Sequence, residues 1–415
     1  MKDLNLKIAI AGNVDSGKST LAGVLLNNCL DDGRGLCRKM VLKNKHEQES
    51  GRTSTITNNS FTKIVDSHRI IISLIDLAGH EKYLKTTMTG ITGSYIDYGL
   101  VLVGANMGVT KMTKEHIALL LFLKIPLIIL VTKIDMSPDD VKNVTIKRIK
   151  KLISLPAFNK KSLHFNENDE TCNKEVDDIL KINNFYETYI PIMNISNKSG
   201  KNIDNLKKLI LNLKPRYPWK EEINSSIMYV DSKFAVKGIG VVLSGTVRGK
   251  SIKINDKLLL GPIDDKFISV RVRSIHNNVR EPIDQLNDND VGCVAIRFIG
   301  KEILTRDQIR KGVVLLSNDE LMKNVTRSFK AKITILNHST TIGNSYQPVI
   351  HCGMVRQSAN LKIIDENNES IKLRTGDKAI VKFTFQFCSE YIEKDTTFFF
   401  RDGTTKGYGS IIELL

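Results

Sequence analysis

The run Gly12-Asn-Val-Asp-Ser-Gly-Lys-Ser19 constrains the fold more than any other stretch of this chain. It fits the P-loop spacing G-x-x-x-x-G-K-[ST], in which a glycine-rich turn joins a strand to a helix. Both flanks are present. Leu6-Lys-Ile-Ala-Ile10 reads as a short buried strand, and Thr20-Leu-Ala-Gly-Val-Leu-Leu26 reads as the first turns of a helix. Backbone N–H groups of such a loop, and of the helix it opens, converge on phosphate oxygens. Asn13, Val14, Asp15, Ser16, Gly17, Lys18, Ser19 and Thr20 are therefore the candidate phosphate-binding residues. Lys18 is placed to reach the β- and γ-phosphates, and the Ser19 hydroxyl to ligate Mg²⁺.

Up to about residue 220, apolar runs alternate with helical patterns. Strands are expected at 6–11, 61–66, 69–75, 99–105, 126–132 and near 190–195. Helices are expected at 18–29, 81–92, 112–124, 139–153 and 202–213. Such alternation predicts a mostly parallel sheet covered on both faces, with ligands at the carboxyl ends of its strands. Lys214-Pro-Arg-Tyr-Pro-Trp219 breaks the pattern and reads as a linker. Beyond it the helical period stops. Short alternating runs such as Phe267-Ile-Ser-Val-Arg-Val-Arg-Ser-Ile275, separated by turn signals, read as β-barrels. A polar break near 317–325 divides them. The expected organisation is an α/β P-loop domain at 1–220 and two all-β barrels at 223–320 and 321–415.

Two polar segments receive readings of their own. Residues 157–178 are rich in Lys, Asn and Glu, and are expected to form a surface excursion with partial disorder. In the basic helix 141–152, Val141, Val144, Ile149 and Leu152 line one side. Lys142, Arg148 and Lys151 line the other, which is expected to be a solvated outer face.

The rest of a guanine-nucleotide site follows in order. Asp76-Leu-Ala-Gly-His80 comes directly after an apolar strand. Asp76 at a strand end reaches Mg²⁺, usually through a water, and Gly79 lets a backbone N–H approach the γ-phosphate. Thr132-Lys-Ile-Asp135 follows another strand. The Asp135 carboxylate can accept both the N1–H and the exocyclic amine of guanine, a donor pair that adenine lacks. Lys133 can lie along the base plane. Ile195-Ser-Asn-Lys198 ends the last strand, and its loop (Ser196, Asn197, Lys198) is placed to give a backbone N–H to the guanine O6. Thr53, between the P-loop helix and the Asp76 strand, can complete the Mg²⁺ shell only when the γ-phosphate is present. Each piece alone is a weak signal; their order and spacing make them a P-loop GTPase domain with GTP or GDP and Mg²⁺ as its ligands.

Bulk properties narrow the partners. Lys and Arg outnumber Asp and Glu by 61 to 45, a net charge of +16, which points to a polyanion, with RNA more natural than a membrane. The six cysteines stand at 29, 37, 172, 293, 352 and 388, without a C-x-x-C, and read as reduced thiols of a cytoplasmic protein. The most apolar run, Leu119 to Val131, is too short to span a bilayer and contains Lys124 and Pro126.

Together these pieces resemble the translational GTPases, the group of elongation factor Tu, over nearly the whole chain. Pairing G-x-V-D-x-G-K-S with D-x-x-G-H is specific to that group. The resemblance is closer to the branch of elongation-factor-like GTPases called GTP-binding protein 1 and 2. Leu30-Asp-Asp-Gly-Arg-Gly35, His46-Glu-Gln-Glu-Ser-Gly-Arg-Thr-Ser54, Asp76 to Thr87 and Val131-Thr-Lys-Ile-Asp-Met136 carry it in the first domain. Val242-Leu-Ser-Gly-Thr-Val247, Leu258-Leu-Leu-Gly-Pro262, Val270 to His276 and Phe399 to Ile411 carry it in the barrels. The resemblance implies that His80 orients the attacking water, that the ribosome stimulates slow intrinsic hydrolysis, and that aminoacyl-tRNA or another RNA is held in the GTP state. It also implies a monomer with no membrane partner, and leaves a guanine-nucleotide exchange factor as a further candidate partner.

Two positions depart from the family pattern. The base-reading motif begins with Thr132 where most relatives have Asn, so a hydroxyl replaces an amide in tying that loop to the P-loop. The apolar residue that pairs with Val14 as a gate on the catalytic His is replaced by Arg52, which is expected to turn to solvent or to RNA phosphate. Three alternative functions stay open at this level: a GTPase of RNA surveillance or decay, the GTPase subunit of a sulfate-activating enzyme, and a nucleotide-bound scaffold without turnover.

Overall fold

The computed structural model describes residues 3–42, 57–65, 68–79, 91–93, 95–155, 158–216, 223–336, 340–364, 372–402 and 404–415. Arg52, Thr53, His80 and most of the expected helix 81–92 lie outside the described residues. The chain divides into two compact units, residues 1–91 with 96–218, and residues 92–95 with 219–415.

The first unit is built on a seven-stranded sheet. Its strands are β1 (Asp3–Gly12), β2 (Thr57–Val65), β3 (His68–Asp76), β4 (Tyr98–Gly104), β5 (Leu127–Thr132), β6 (Lys161–His164) and β7 (Tyr189–Asn194). They lie in the order β2-β3-β1-β4-β5-β7-β6, parallel throughout except for the antiparallel β2–β3 pair. Side chains of a strand alternate between faces. Leu6, Ile8 and Ile10 therefore enter one core layer with Leu100, Leu102, Ile128 and Leu130. Ala9 and Ala11 enter the other with Val101, Val103, Ile129 and Val131. Helices cover both faces: α1 (Lys18–Asn27), α2 (Leu36–Val41), α3 (Lys111–Phe122), α4 (Asp139–Ile153), α5 (Asp169–Lys181) and α6 (Ile203–Leu211).

Two expectations fail here. The polar stretch 157–178 is no excursion: it supplies edge strand β6 and most of α5. Asn168 caps that helix, its Oδ1 accepting the N–H of Glu170 and of Thr171, each at 3.1 Å. Cys172, Val176 and Ile179, one helical stripe, are buried in the core beside Phe165. Three apolar residues at helical spacing suffice to dock a helix whose other faces are polar. In α4 the inward face is Thr145, Ile146, Ile149 and Ile153, together with Lys142. Val141 and Val144 are exposed instead, at 37% and 46%. The helix is rotated from the expected setting, and Lys142 on its inward face pairs with Asp139 and Glu167.

The six cysteines are free thiols, as expected, although Cys29 and Cys37 come into contact at 3.3 Å between sulfurs.

The second unit holds two closed barrels of six antiparallel strands. The first uses β8 (Ser226–Val236), β9 (Gly240–Gly249), β10 (Lys257–Ile263), β11 (Lys266–Asn277), β12 (Val291–Phe298) and β13 (Val314–Leu316), closed by the β10–β11 pairing. The second uses β14 (Ser328–Ile335), β15 (Val349–Cys352), β16 (Val355–Ile363), β17 (Lys378–Phe385), β18 (Thr397–Asp402) and β19 (Thr404–Leu414). Each barrel has its own apolar core. Ion pairs join them: Arg310 Nη1 donates to Glu390 Oε2 at 2.5 Å, and Arg248 meets Glu393.

Candidate nucleotide-binding site

The P-loop leaves β1 at Gly12, whose φ is +144°. A Cβ there would lie 2.4 Å from the Leu102 carbonyl oxygen, so only glycine fits beside β4. Asp15 and Gly17 both take the left-handed conformation, at φ 59° and 88°. Such turns aim successive N–H groups into one concavity. Helix α1 starts at Lys18 behind Gly17 with no side-chain cap, which leaves its first N–H groups for a ligand. Lys18 Nζ donates to the Asn13 carbonyl at 2.7 Å, and the Ser16 hydroxyl to the same oxygen at 2.8 Å. Burial pushes the Lys18 ammonium below its usual range, against the pull of Asp76 and Asp15.

Asp76 ends β3 beside this loop. The Ser19 hydroxyl donates to Asp76 Oδ2 at 2.6 Å. These are the two described residues expected at Mg²⁺, and their contact brings a hydroxyl and a carboxylate together, hard oxygen donors of the kind Mg²⁺ takes. Among the described residues no cluster of three or more His, Cys, Asp and Glu forms a separate metal cage. Mg²⁺ characteristically needs none, since it keeps waters and shares phosphate oxygens. Gly79 lies against the loop: a Cβ on it would meet Lys18 Nζ at 2.4 Å and the Gly12 carbonyl oxygen at 2.8 Å.

The base end lies at the carboxyl ends of β5 and β7. The Thr132 hydroxyl donates to the Ser16 carbonyl at 2.8 Å and ties this loop to the P-loop. Lys133 turns the chain in the left-handed region at φ 59°. Asp135 Oδ1 accepts the Ser196 hydroxyl at 2.7 Å. Ser196 Oγ in turn accepts the N–H of Ser199 at 3.1 Å and of Lys198 at 3.3 Å. Asn197 Oδ1 is buried with no hydrogen-bond partner, and Asn197 Nδ2 would lie 3.5 Å from a Cβ on Gly17. Both base loops therefore meet the P-loop, and the expected residues Asn13 to Thr20, Asp76, Gly79, Thr132, Lys133, Asp135 and Ser196 to Lys198 gather at one edge of the sheet.

The structure adds supports that the motifs do not name. Lys142 Nζ, on a side chain 9% exposed, pairs with Asp139 at 2.7 Å and with Glu167 at 2.8 Å. Glu167 Oε1 accepts Asn194 Nδ2 at 2.7 Å, and Asn194 Oδ1 meets His164 Nε2 at 3.4 Å. Burial pushes the Glu167 carboxyl up, but the bonds from Lys142 and Asn194 outweigh it and hold the group below its ordinary range. Burial also holds His164 below the usual imidazole range. This network links the start of α4, just past the first base loop, to the end of β7, where the second base loop begins. The segment Leu30 to Gly35 closes on the same loops: the Asp31 N–H donates to the Asn197 carbonyl at 2.9 Å. Its own turn is held by Asp31 and Asp32, which accept the N–H groups of Gly33, Arg34, Leu36 and Cys37.

Strand order, loop positions and the two barrels that follow define a P-loop GTPase of the elongation-factor architecture. Residues 4–216 match the family model described as Elongation factor Tu GTP binding domain, and the chain belongs to the translational GTPase superfamily. It is 40% identical over 435 residues to GTP-binding protein 1 of Xenopus laevis, covering 99% of this chain and 64% of that protein. It is 34% identical over 436 residues to GTP-binding protein 2 of Homo sapiens, covering 99% of this chain and 69% of that protein. The chain thus spans only about two thirds of the length of these relatives. Over 81% of this chain and 61% of the relative, it is 30% identical to Selenocysteine-specific elongation factor of Methanocaldococcus jannaschii. Among solved structures, translation elongation factor SelB from Methanococcus maripaludis with a GTP analogue shares the fold at a TM-score of 0.69 and 22% identity, covering 100% of this chain and 80% of that one.

Proposed function

We propose that this chain binds GTP with Mg²⁺ and hydrolyses it to GDP and phosphate on the ribosome, as a switch that grips and releases an RNA, aminoacyl-tRNA. One observation carries the reading: Lys18, Ser19, Asp76 and Gly79 close on one end of a site whose other end holds Asp135 and Asn197. P-loop N–H groups from Asn13 to Thr20 bind the phosphates. Ser19, Asp76 and, in the GTP state, Thr53 would hold Mg²⁺, which would supply positive charge to offset that of the phosphates. Asp135 pairs with the guanine N1–H and amine, while Thr132, Lys133, Ser196, Asn197 and Lys198 shape the base pocket. His80 orients the attacking water, and the ribosome sets its position. The barrels, divided as 223–320 and 321–415 behind a GTPase domain at 1–220, hold the RNA. Relatives named Elongation factor 1-alpha and Selenocysteine-specific elongation factor support a role in translation elongation. The protein works as a cytoplasmic monomer, with a guanine-nucleotide exchange factor as a candidate third partner. No helix among the described residues is long and apolar enough to cross a membrane.

The test is GTP turnover with and without ribosomes and aminoacyl-tRNA, in the wild type and in His80→Ala. Slow intrinsic turnover, strong ribosomal stimulation and loss of that stimulation in His80→Ala with GTP affinity retained are expected. Turnover indifferent to ribosomes, or tighter binding of ATP than of GTP, would remove the reading.

A further inference from the structure

Helix α1 starts at the P-loop and ends at Asn27, where Asn28 takes the left-handed conformation at φ 51°. Cys29 follows, and Cys37 enters α2 eight positions later. Their sulfurs lie 3.3 Å apart. The two thiols differ in freedom. Cys37 is fully buried in the core, and a Cβ on Gly23 of α1 would collide with its carbonyl oxygen. Its backbone is therefore pressed against α1 and has no room to shift. Cys29 is half-buried and lies beyond the end of α1, so a small solute meets its sulfur first.

The span between the two thiols rests on the second base loop. The Asp31 N–H donates to the Asn197 carbonyl at 2.9 Å. A Cβ on Gly33 would meet Lys198 Cδ at 3.4 Å, and one on Gly200 would meet Leu30 Cδ1 at 3.1 Å. Bonded sulfurs stand about 2.05 Å apart, so a disulfide here would close the gap by about 1.2 Å. With Cys37 held by α1, Cys29 makes that movement and carries Leu30 and Asp31 with it. A hydrogen bond of 2.9 Å stretched by about 1 Å is lost.

We propose that Cys29 and Cys37 are an oxidation site for a peroxide, and that the disulfide they form draws Asp31 off Asn197 and weakens guanine-nucleotide binding. The proposal rests on the guanine-nucleotide reading above and adds a control to that site. The Cys29 sulfur attacks one oxygen of hydrogen peroxide and the O–O bond breaks. The leaving hydroxide takes the thiol proton and departs as water, and Cys29 becomes a sulfenic acid. The Cys37 sulfur then attacks the sulfenic sulfur, the S–O bond breaks, and the hydroxide leaves with the Cys37 proton as a second water. The two thiols give up the two electrons that reduce the peroxide. Burial and the contact with Cys29 push the Cys37 thiol up to about 12, so it stays protonated until the sulfenic acid forms beside it.

The experiment measures the affinity of the full chain for a fluorescent GDP before hydrogen peroxide, after it, and again after dithiothreitol. Peptide mass spectrometry reads the thiol state at each stage. The wild type is expected to lose roughly tenfold in affinity, the scale of one hydrogen bond, as a Cys29–Cys37 linked peptide appears, and to regain it on reduction. Cys29→Ser should bind GDP as the reduced wild type does and keep that affinity through the peroxide step. The control Cys293→Ser, Cys388→Ser removes two half-buried thiols elsewhere and should respond as the wild type does. Unchanged affinity in a chain whose disulfide has formed would overturn the switch. So would an equal loss in Cys29→Ser, or oxidation of Cys29 to a sulfinic acid with no linked peptide. Each of these leaves the nucleotide reading standing. A reduced wild type with no affinity for GDP would overturn that reading and the switch together.

Discussion

The two ends of the nucleotide site are built in different ways. At the phosphate end the work falls to backbone geometry. Gly12 and Gly79 each stand where a single added carbon would collide with a carbonyl oxygen, and Asp15 and Gly17 take the left-handed turn that aims N–H groups inward. At the base end the work falls to side-chain hydrogen bonds: Thr132 to Ser16, Ser196 to Asp135, and Glu167 between Lys142 and Asn194. Backbone geometry admits almost no substitution. A hydrogen bond can be supplied by more than one side chain, and here the Thr132 hydroxyl supplies the one to the Ser16 carbonyl.

Four measurements would break or sharpen this contrast. The largest effect belongs to Asp135→Asn at the base end. Preference for guanosine over adenosine nucleotides, measured by competitive binding, should collapse by up to about 10⁴-fold, because a site stripped of its hydrogen-bond partner loses its main discriminator. Gly79→Ala comes next and should spare GDP affinity while lowering GTP turnover by about 100-fold, the scale of a displacement near 1 Å at a reacting centre. Turnover close to wild type would show that the Gly12 carbonyl and Lys18 can yield. Thr132→Val removes the donor to the Ser16 carbonyl and leaves a buried acceptor unpaired, which costs about 1–3 kcal/mol. GDP affinity should fall by roughly tenfold with turnover at saturation unchanged. An equal fall in both would mean that the two ends are not separable.

The smallest effect is one of pH. Burial depresses the folded pKa of His164, so the neutral ring contributes stability that is whole above about pH 6.5 and is lost progressively as pH falls below it. Glu167, whose carboxyl is held below its ordinary range, stays charged across that window. GDP affinity should therefore weaken modestly between about pH 6.5 and 5 in the wild type, and less in His164→Gln. An identical profile in the two proteins would exclude His164 as the source.

The same contrast explains what could be seen in the sequence. Where geometry forces residue type, as at Gly12, Gly17, Lys18 and Gly79, the spacing alone located the parts. The parallel sheet was legible because its strands are buried on both faces and read as unbroken apolar runs. Residues 157–178 were misjudged because their composition is polar while only Cys172, Val176 and Ile179 carry the packing. The setting of α4 was misjudged because a lysine, Lys142, belongs to its inner face. That lysine is drawn in by Glu167, 25 residues away, and no local pattern announces such a partner.

One feature of the second unit bears on how such a molecule comes apart. Glu390, with a side chain only 3% exposed, is shared between Arg310 of the first barrel and Gln357 of the second. Severing one partner of a buried pair of this kind typically destabilises by about 3–5 kcal/mol. The two barrels should accordingly unfold in a single calorimetric transition, and Gln in place of Arg310 should split that peak.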